Sequence, residues 1–188
     1  MSKIKNNPIM KGASGMLGDV VVYREFRGNV IMSNRPKKRE MLTPQQSAAK
    51  SKFLRAVKYG KKQIADPVMK AEYQPTKTSR FTSAYAVAVA DYLGAPVVNN
   101  IDVSQYGGAV DDRIYIQATD NFKVTVVNVA IFDADAALIE QGEAVLQDDS
   151  DEDFIYQVTT PNAVIAGSRI VVTVRDKPGN TTVEEKVL

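Results

Sequence analysis

The chain has 188 residues and a net charge of +2, and it contains no Cys, His or Trp. Without Cys there is no disulfide framework, thiolate nucleophile or Cys-based zinc site. Without His the commonest general base and metal ligand is missing, and Ser-His-Asp chemistry is excluded. The small net charge conceals a division: residues 1–94 carry 18 basic and 6 acidic residues, and residues 95–188 carry 6 and 16, or +12 against −10. Such asymmetry implies a positive surface that meets something negative.

Residues 1–19 hold few apolar side chains and include Gly12, Gly15 and Gly18, so they read as an extended arm. The run Gly12-Ala13-Ser14-Gly15-Met16-Leu17-Gly18 has neither the Gly-Lys-Ser/Thr of a phosphate loop nor the strand and helix of a dinucleotide fingerprint. It reads instead as backbone that bends tightly or approaches a neighbour closely. The start lacks the apolar run of roughly 7–15 residues that a secretory leader needs. No segment reaches the ~20 apolar residues of a membrane helix. The expectation is a soluble protein made in a cytoplasm, with no membrane partner.

Residues 20–23 and 30–32 are β-prone and flank Arg27-Gly28-Asn29, which predicts a hairpin. A basic extended linker follows, with Arg35, Lys37, Lys38 and Arg39, and Pro36 biases Arg35 away from helix. Thr43-Pro44-Gln45-Gln46 is a helix start: Thr43 caps, Pro44 takes the first helical position, and Gln46 completes a capping box. The helix is predicted to run to residue 65, where Asp66-Pro67 stops it. Ala49, Phe53, Ala56 or Val57, Gly60 and Ile64 fall near one face, and Lys50, Lys52, Arg55, Lys58, Lys61 and Lys62 cover most of the rest. Phe53 and Tyr59 are expected to face the core, which leaves little aromatic surface for stacking on single-stranded nucleic acid.

Residues 68–73 predict one further helical turn. A second long helix is predicted from about residue 80–83 to Gly94, a typical C-terminal glycine. The alternation of residues 84–90 also fits a strand, but their Ala content and Gly94 favour helix.

After Ala95-Pro96 the pattern changes to short runs of Val, Ile, Tyr and Thr separated by turn residues. Strands are predicted at 101–103, 113–118, 123–132, 137–141, 143–146, 153–158, 168–175 and 181–185. The predicted fold class is mainly β with a small α/β N-terminal part: an Ig-like β-sandwich at the C-terminus, preceded by a β-hairpin and two helices. The corresponding organisation is an arm over 1–19, a basic anchoring region over 20–96 and an acidic sandwich over 97–188.

No catalytic, cofactor or metal site is predicted. The acidic run from Asp148 to Asp153 fails the EF-hand pattern, which needs Gly and Glu where Phe154 and Thr160 stand, so it reads as a solvated loop. Asn180-Thr181-Thr182 matches a glycosylation sequon that means little without a leader. Loop acids alone define no paired-carboxylate geometry, so the chain reads as a non-enzyme. The candidate partner-binding residues are Gly12, Gly15, Gly18, Arg35, Lys37, Lys38, Arg39, Lys50, Arg55, Lys58, Lys61 and Lys62. Their charge suits phosphates, but the −10 half would repel nucleic acid, so docking on an acidic protein surface satisfies both halves better.

The pattern Ser14-Gly15-x-x-Gly18, Val20 to Arg24, Gly28, Arg35-Pro36, Thr43-Pro44-Gln45-Gln46 and Lys52-Phe53 resembles proteins of Bacteroidota and their phages that pair a Gly-rich hairpin with a basic helix. Asp112-Arg113-Ile114, Asp120-Asn121-Phe122-Lys123-Val124 and Ile139-Glu140-x-Gly142-x-Ala144 look like the Ig-like portion of the same group. Relatives in that group include auxiliary capsid proteins of crAss-like phages. The resemblance covers most of the chain and rests on glycines, turns and caps. It implies a virion structural protein, an auxiliary or decoration protein of a tailed-phage capsid, whose partners are the major capsid protein, another virion protein or copies of itself. The alternative is a nucleic-acid-binding module with an acidic β domain for protein contacts.

Overall fold

The computed structural model describes residues 2–4, 10, 12–26, 28–36, 41–74 and 81–188, and it divides at Ser47/Ala48 into two units. In the first unit, β3 (Val21–Phe26) and β4 (Asn29–Asn34) form the predicted hairpin, with Phe26 opposite Asn29. Gly28 takes φ +73 in that turn, a left-handed conformation that glycine adopts without steric cost. Two short strands extend the hairpin: β1 (Ser2–Ile4) pairs with β4, and β2 (Gly15–Leu17) pairs with β3. The segment expected as an arm thus supplies the outer strands of a four-stranded antiparallel sheet, ordered β1-β4-β3-β2. Their backbone groups find partners on the hairpin edges, which three glycines and few apolar residues did not foretell. Among the described residues of this unit only Val30 and Ile31 are buried apolar side chains.

In the second unit nearly all of α1, with α2 and α3, is grouped with the C-terminal strands. α1 (Pro44–Ala65) starts as predicted. The Thr43 amide donates to Gln46 Oε1 and the Gln46 amide to Thr43 Oγ1, both at 3.2 Å, a reciprocal capping box. Asp66 stops α1 by capping α2 (Pro67–Tyr73), its Oδ1 accepting from the Val68 amide at 2.9 Å. α3 (Ala84–Leu93) is capped by Ser83 and is helical, not a strand. Gly94 ends it with φ −87 and ψ 149, outside the left-handed region. A Cβ on Gly94 would lie 2.2 Å from Asn121 Nδ2, so the Asn121 side chain would have to turn away to admit one.

The remaining strands are β5 (Val97–Asp102), β6 (Arg113–Thr119), β7 (Val124–Phe132), β8 (Leu138–Glu143), β9 (Val145–Leu146), β10 (Asp153–Gln157), β11 (Arg169–Asp176) and β12 (Thr181–Val187); all but β5, which starts four residues before the predicted 101–103, lie close to the predicted runs. They form two antiparallel sheets, β5-β6-β10-β9 and β12-β11-β7-β8. Side chains alternate in and out with period two. Ile114, Ile116 and Ala118 of β6 and Phe154 and Tyr156 of β10 share one core with Val127, Val129 and Ile131 of β7 and Ile170, Val172 and Val174 of β11. Opposite residues on the second sheet pair core with core, as in Ile170–Ile131, Val172–Val129 and Val174–Val127. A second, smaller core holds Tyr73, Ala84, Val87 and Ala88, with Ile64, Phe81 and Phe122 against it. Phe122, from the turn after β6, joins the helices to the sheets: its ring lies 4.1 Å from that of Tyr73.

Candidate functional site

α1 is much more exposed than its pattern suggests. Ala56 and Gly60 are its only fully buried residues. Gly60 is where α1 meets α3, since a Cβ there would lie 2.7 Å from Val89 Cγ2 and 3.1 Å from the Tyr85 ring. Tyr59 packs at 5.2 Å on Tyr92 and shares a 3.0 Å hydrogen bond with the Tyr73 hydroxyl. Phe53, in contrast, is 51% exposed and Leu54 56%, so the expectation that Phe53 faces the core is corrected. Over those turns α1 has too little buried partner surface for its apolar face.

At 100° per residue, Lys50, Lys61, Lys58, Lys62 and Arg55 fall on one arc of roughly 140° around α1, with Leu54 inside it. All five cations are exposed, and none has an ion pair among the described residues. Lys52 lies outside the arc and donates to the Leu93 carbonyl at 3.0 Å. Arg35 belongs to the first unit and is paired there with Asp19. Gly12, Gly15 and Gly18 also lie in the first unit and take φ of +77, +112 and +59 with no atom of this chain within 4 Å of a would-be Cβ. Lys37, Lys38 and Arg39 lie outside the described residues.

A second constellation was not foreseen. Asp91 on α3, Asp120 in the turn after β6 and Asp176 at the end of β11 each offer a carboxylate oxygen, and the three oxygens lie within 4.8 Å of one another. Asp91 is fully buried and Asp176 is 2% exposed. The Tyr73 hydroxyl donates to Asp91 Oδ2 at 2.6 Å. The Phe122 amide donates to Asp120 Oδ2 at 3.2 Å. Asp176 accepts from the Gly179 and Asn180 amides at Oδ1 and from the Asn180 side chain at Oδ2. Asp91 Oδ1 and Asp120 Oδ1 are buried with no hydrogen-bond partner. Burial pushes the Asp91 carboxyl up to about 7 against the opposing Tyr73 hydrogen bond, and Asp120 adds to the rise. Burial also raises Asp176, against its bonds from Asn180 and Gly179. Burial raises the Tyr73 hydroxyl, with Asp91 adding to it, so it stays a donor.

The same place closes the end of α3. The carbonyls of its last turn normally lack helical partners. Here the Ala90 carbonyl accepts from the Gly94 amide at 2.9 Å. Leu93 receives Lys52, and Asn180 Nδ2 lies 3.3 Å from the Asp91 carbonyl, 3.4 Å from that of Tyr92 and 2.7 Å from that of Gly94. Asn180 is therefore spent on internal acceptors. Outside the cluster, Glu72 holds Lys177 and Lys123, and Lys177 keeps the Glu72 carboxyl below its ordinary range.

Sequence reasoning placed Asp120 between strands, where it lies, and Asp176 in the following turn, although it is the last residue of β11; it read both only as breaks between strands. The available signal was Asp91, a lone acid in the apolar run Ala84–Leu93. A buried carboxylate on such a helix requires dedicated partners.

No protein-family model matches the chain, and no curated protein matches it. Among solved structures it is similar to CopC from Methylosinus trichosporium OB3b, at 13% identity and a TM-score of 0.37, over 48% of this chain and 87% of that one.

Proposed function

We propose that the chain is a structural protein of a virus particle, an auxiliary or decoration protein of a tailed-phage capsid. The cationic N-terminal region docks on the shell, and the acidic C-terminal sandwich, read as Ig-like, projects from it. The observation that carries this reading is apolar surface left open beside positive charge. Met16, Leu17, Val20 and Phe26 in the first unit and Phe53 and Leu54 on α1 are all more than half exposed. On α1, exposed apolar side chains beside cations fit an acidic protein surface, where burial supplies affinity and charge supplies orientation. The charge division and the resemblance to auxiliary capsid proteins support the same reading.

The test is quantitative mass spectrometry of density-purified particles from a culture that carries the gene. A fixed, high ratio to the major shell protein is expected. Recovery in the soluble fraction alone overturns the reading. Steeply salt-dependent retention of the soluble protein on DNA or RNA would then favour a nucleic-acid-binding module.

A further inference from the structure

We propose that Asp91, Asp120 and Asp176 form a binding site for a hard divalent cation of the calcium class, which fastens α3 to the two turns that follow β6 and β11. Three acidic residues near one another do not make a site. What distinguishes these is that two of their oxygens, Asp91 Oδ1 and Asp120 Oδ1, are buried with no donor, while every other carboxylate oxygen of the three has one. Asp91 is fully buried. A carboxylate oxygen in that position loses its water and gains nothing in return unless something positive faces it. Among the described residues no lysine or arginine forms an ion pair with any of the three, and the nearby cations Lys123 and Lys177 are both engaged by Glu72.

The donors decide the class of ion. All are carboxylate oxygens, and the chain has no thiolate or imidazole anywhere. Oxygen-only sites suit calcium, magnesium and manganese and discriminate against zinc and copper. Oxygens within 4.8 Å of one another can surround a common centre at the ~2.3–2.6 Å of calcium–oxygen bonds. Calcium also tolerates an irregular shell completed by water, whereas magnesium demands a near-octahedral one. Asp120 is only half-buried, which gives the ion a side from which to enter. The bonds from Tyr73, Phe122, Gly179 and Asn180 hold each carboxylate in place, as the second shell of a metal site does. The competing occupant is a proton shared between Asp91 and Asp120.

The experiment uses the full chain, stripped with a chelator and titrated calorimetrically with calcium chloride and, separately, magnesium chloride. The expected result is one calcium bound per chain, with magnesium at least tenfold weaker. At calcium near 100 times its Kd the melting temperature should rise by roughly 5–10 °C, and chelator should reverse the rise. Asp120→Asn, at the half-buried position, should lose at least tenfold in calcium affinity while keeping the circular dichroism spectrum and the metal-free melting temperature. Asp91→Asn should do the same, with the Tyr73 bond retained by the amide oxygen. Asp149→Asn, in the exposed acidic loop, should bind as the wild type does. Absence of binding by the folded wild-type chain overturns the proposal, and carboxyl NMR showing one proton shared by Asp91 and Asp120 at neutral pH would identify what replaces it. Equal binding by wild type and Asp120→Asn overturns it as well.

Discussion

The side-chain amide of Asn180 donates to the Gly94 carbonyl at 2.7 Å and to Asp176 Oδ2 at 2.6 Å, so one residue joins the end of α3 to the turn between β11 and β12. Asn180→Ala leaves these acceptors part-buried without a donor and should cost roughly 2–3 kcal/mol, the scale for stranding buried polar groups. Asn180→Asp should cost more, because its carboxylate would face Asp176 and the carbonyls. Urea unfolding of the two variants checks both the size and the order.

Gly60 lets α1 and α3 approach to where a methyl group would lie 2.7 Å from Val89 Cγ2. Alanine favours helix over glycine by about 1 kcal/mol, but Val89 is β-branched and has little room to turn away. Gly60→Ala should therefore destabilise by about 1–2 kcal/mol net, as overpacking does. Pairing it with Val89→Ala should give a less than additive loss in a double-mutant cycle. A Gly60→Ala protein more stable than the wild type would show that the helices part at little cost.

Tyr156 lies in the sandwich core, and burial pushes its hydroxyl up to about 12, with the Glu140 carboxylate adding to the rise. In the unfolded chain a tyrosine ionises near pH 10. The unfolded state thus loses its proton first as pH climbs. The contribution of Tyr156 is fully present below about pH 10 and is lost as pH rises toward about 12. Burial raises Tyr73 and Tyr106 in the same direction. Stability measured against pH should fall across that window, and Tyr156→Phe should make the fall shallower.

Phe53 and Leu54 contribute little to the fold, since both are more than half exposed. Phe53→Ser with Leu54→Ser should change unfolding free energy by less than about 0.5 kcal/mol, the usual range for surface substitutions. The same pair should lower the occupancy of the protein on purified particles. Lys58→Glu with Lys61→Glu should do so too, with a loss relative to the wild type that shrinks as salt is raised. Normal occupancy of both variants would remove α1 from the docking surface.

Strand positions were legible because the sandwich side chains alternate cleanly, as Ile170, Val172 and Val174 do against Val171, Thr173 and Arg175. The bounds of α1 were legible because Thr43, Gln46 and Asp66 act locally on neighbouring backbone. The outer strands of the first sheet were not, since β1 and β2 are three residues each and gain their hydrogen bonds only from a hairpin already formed. Phe53 was misread because periodicity reports which face is apolar and not whether a partner covers it. The aspartate cluster was hidden because it joins residues 29 and 56 positions apart, which no local pattern connects.

The closure of α3 also bears on the order of events during synthesis. Its final carbonyls receive a donor from Lys52, 41 positions earlier, but they also depend on Asn180, which follows Gly94 by 86. A chain emerging from the ribosome at about 5–20 residues per second therefore spends on the order of ten seconds with that end of the helix open. During that interval the buried face of α3, Val87 and Ala88, lacks its final fastening. The hairpin of β11 and β12 latches an element made long before it, so shortening or delaying β12 should first be felt at α3 and not at the strand itself.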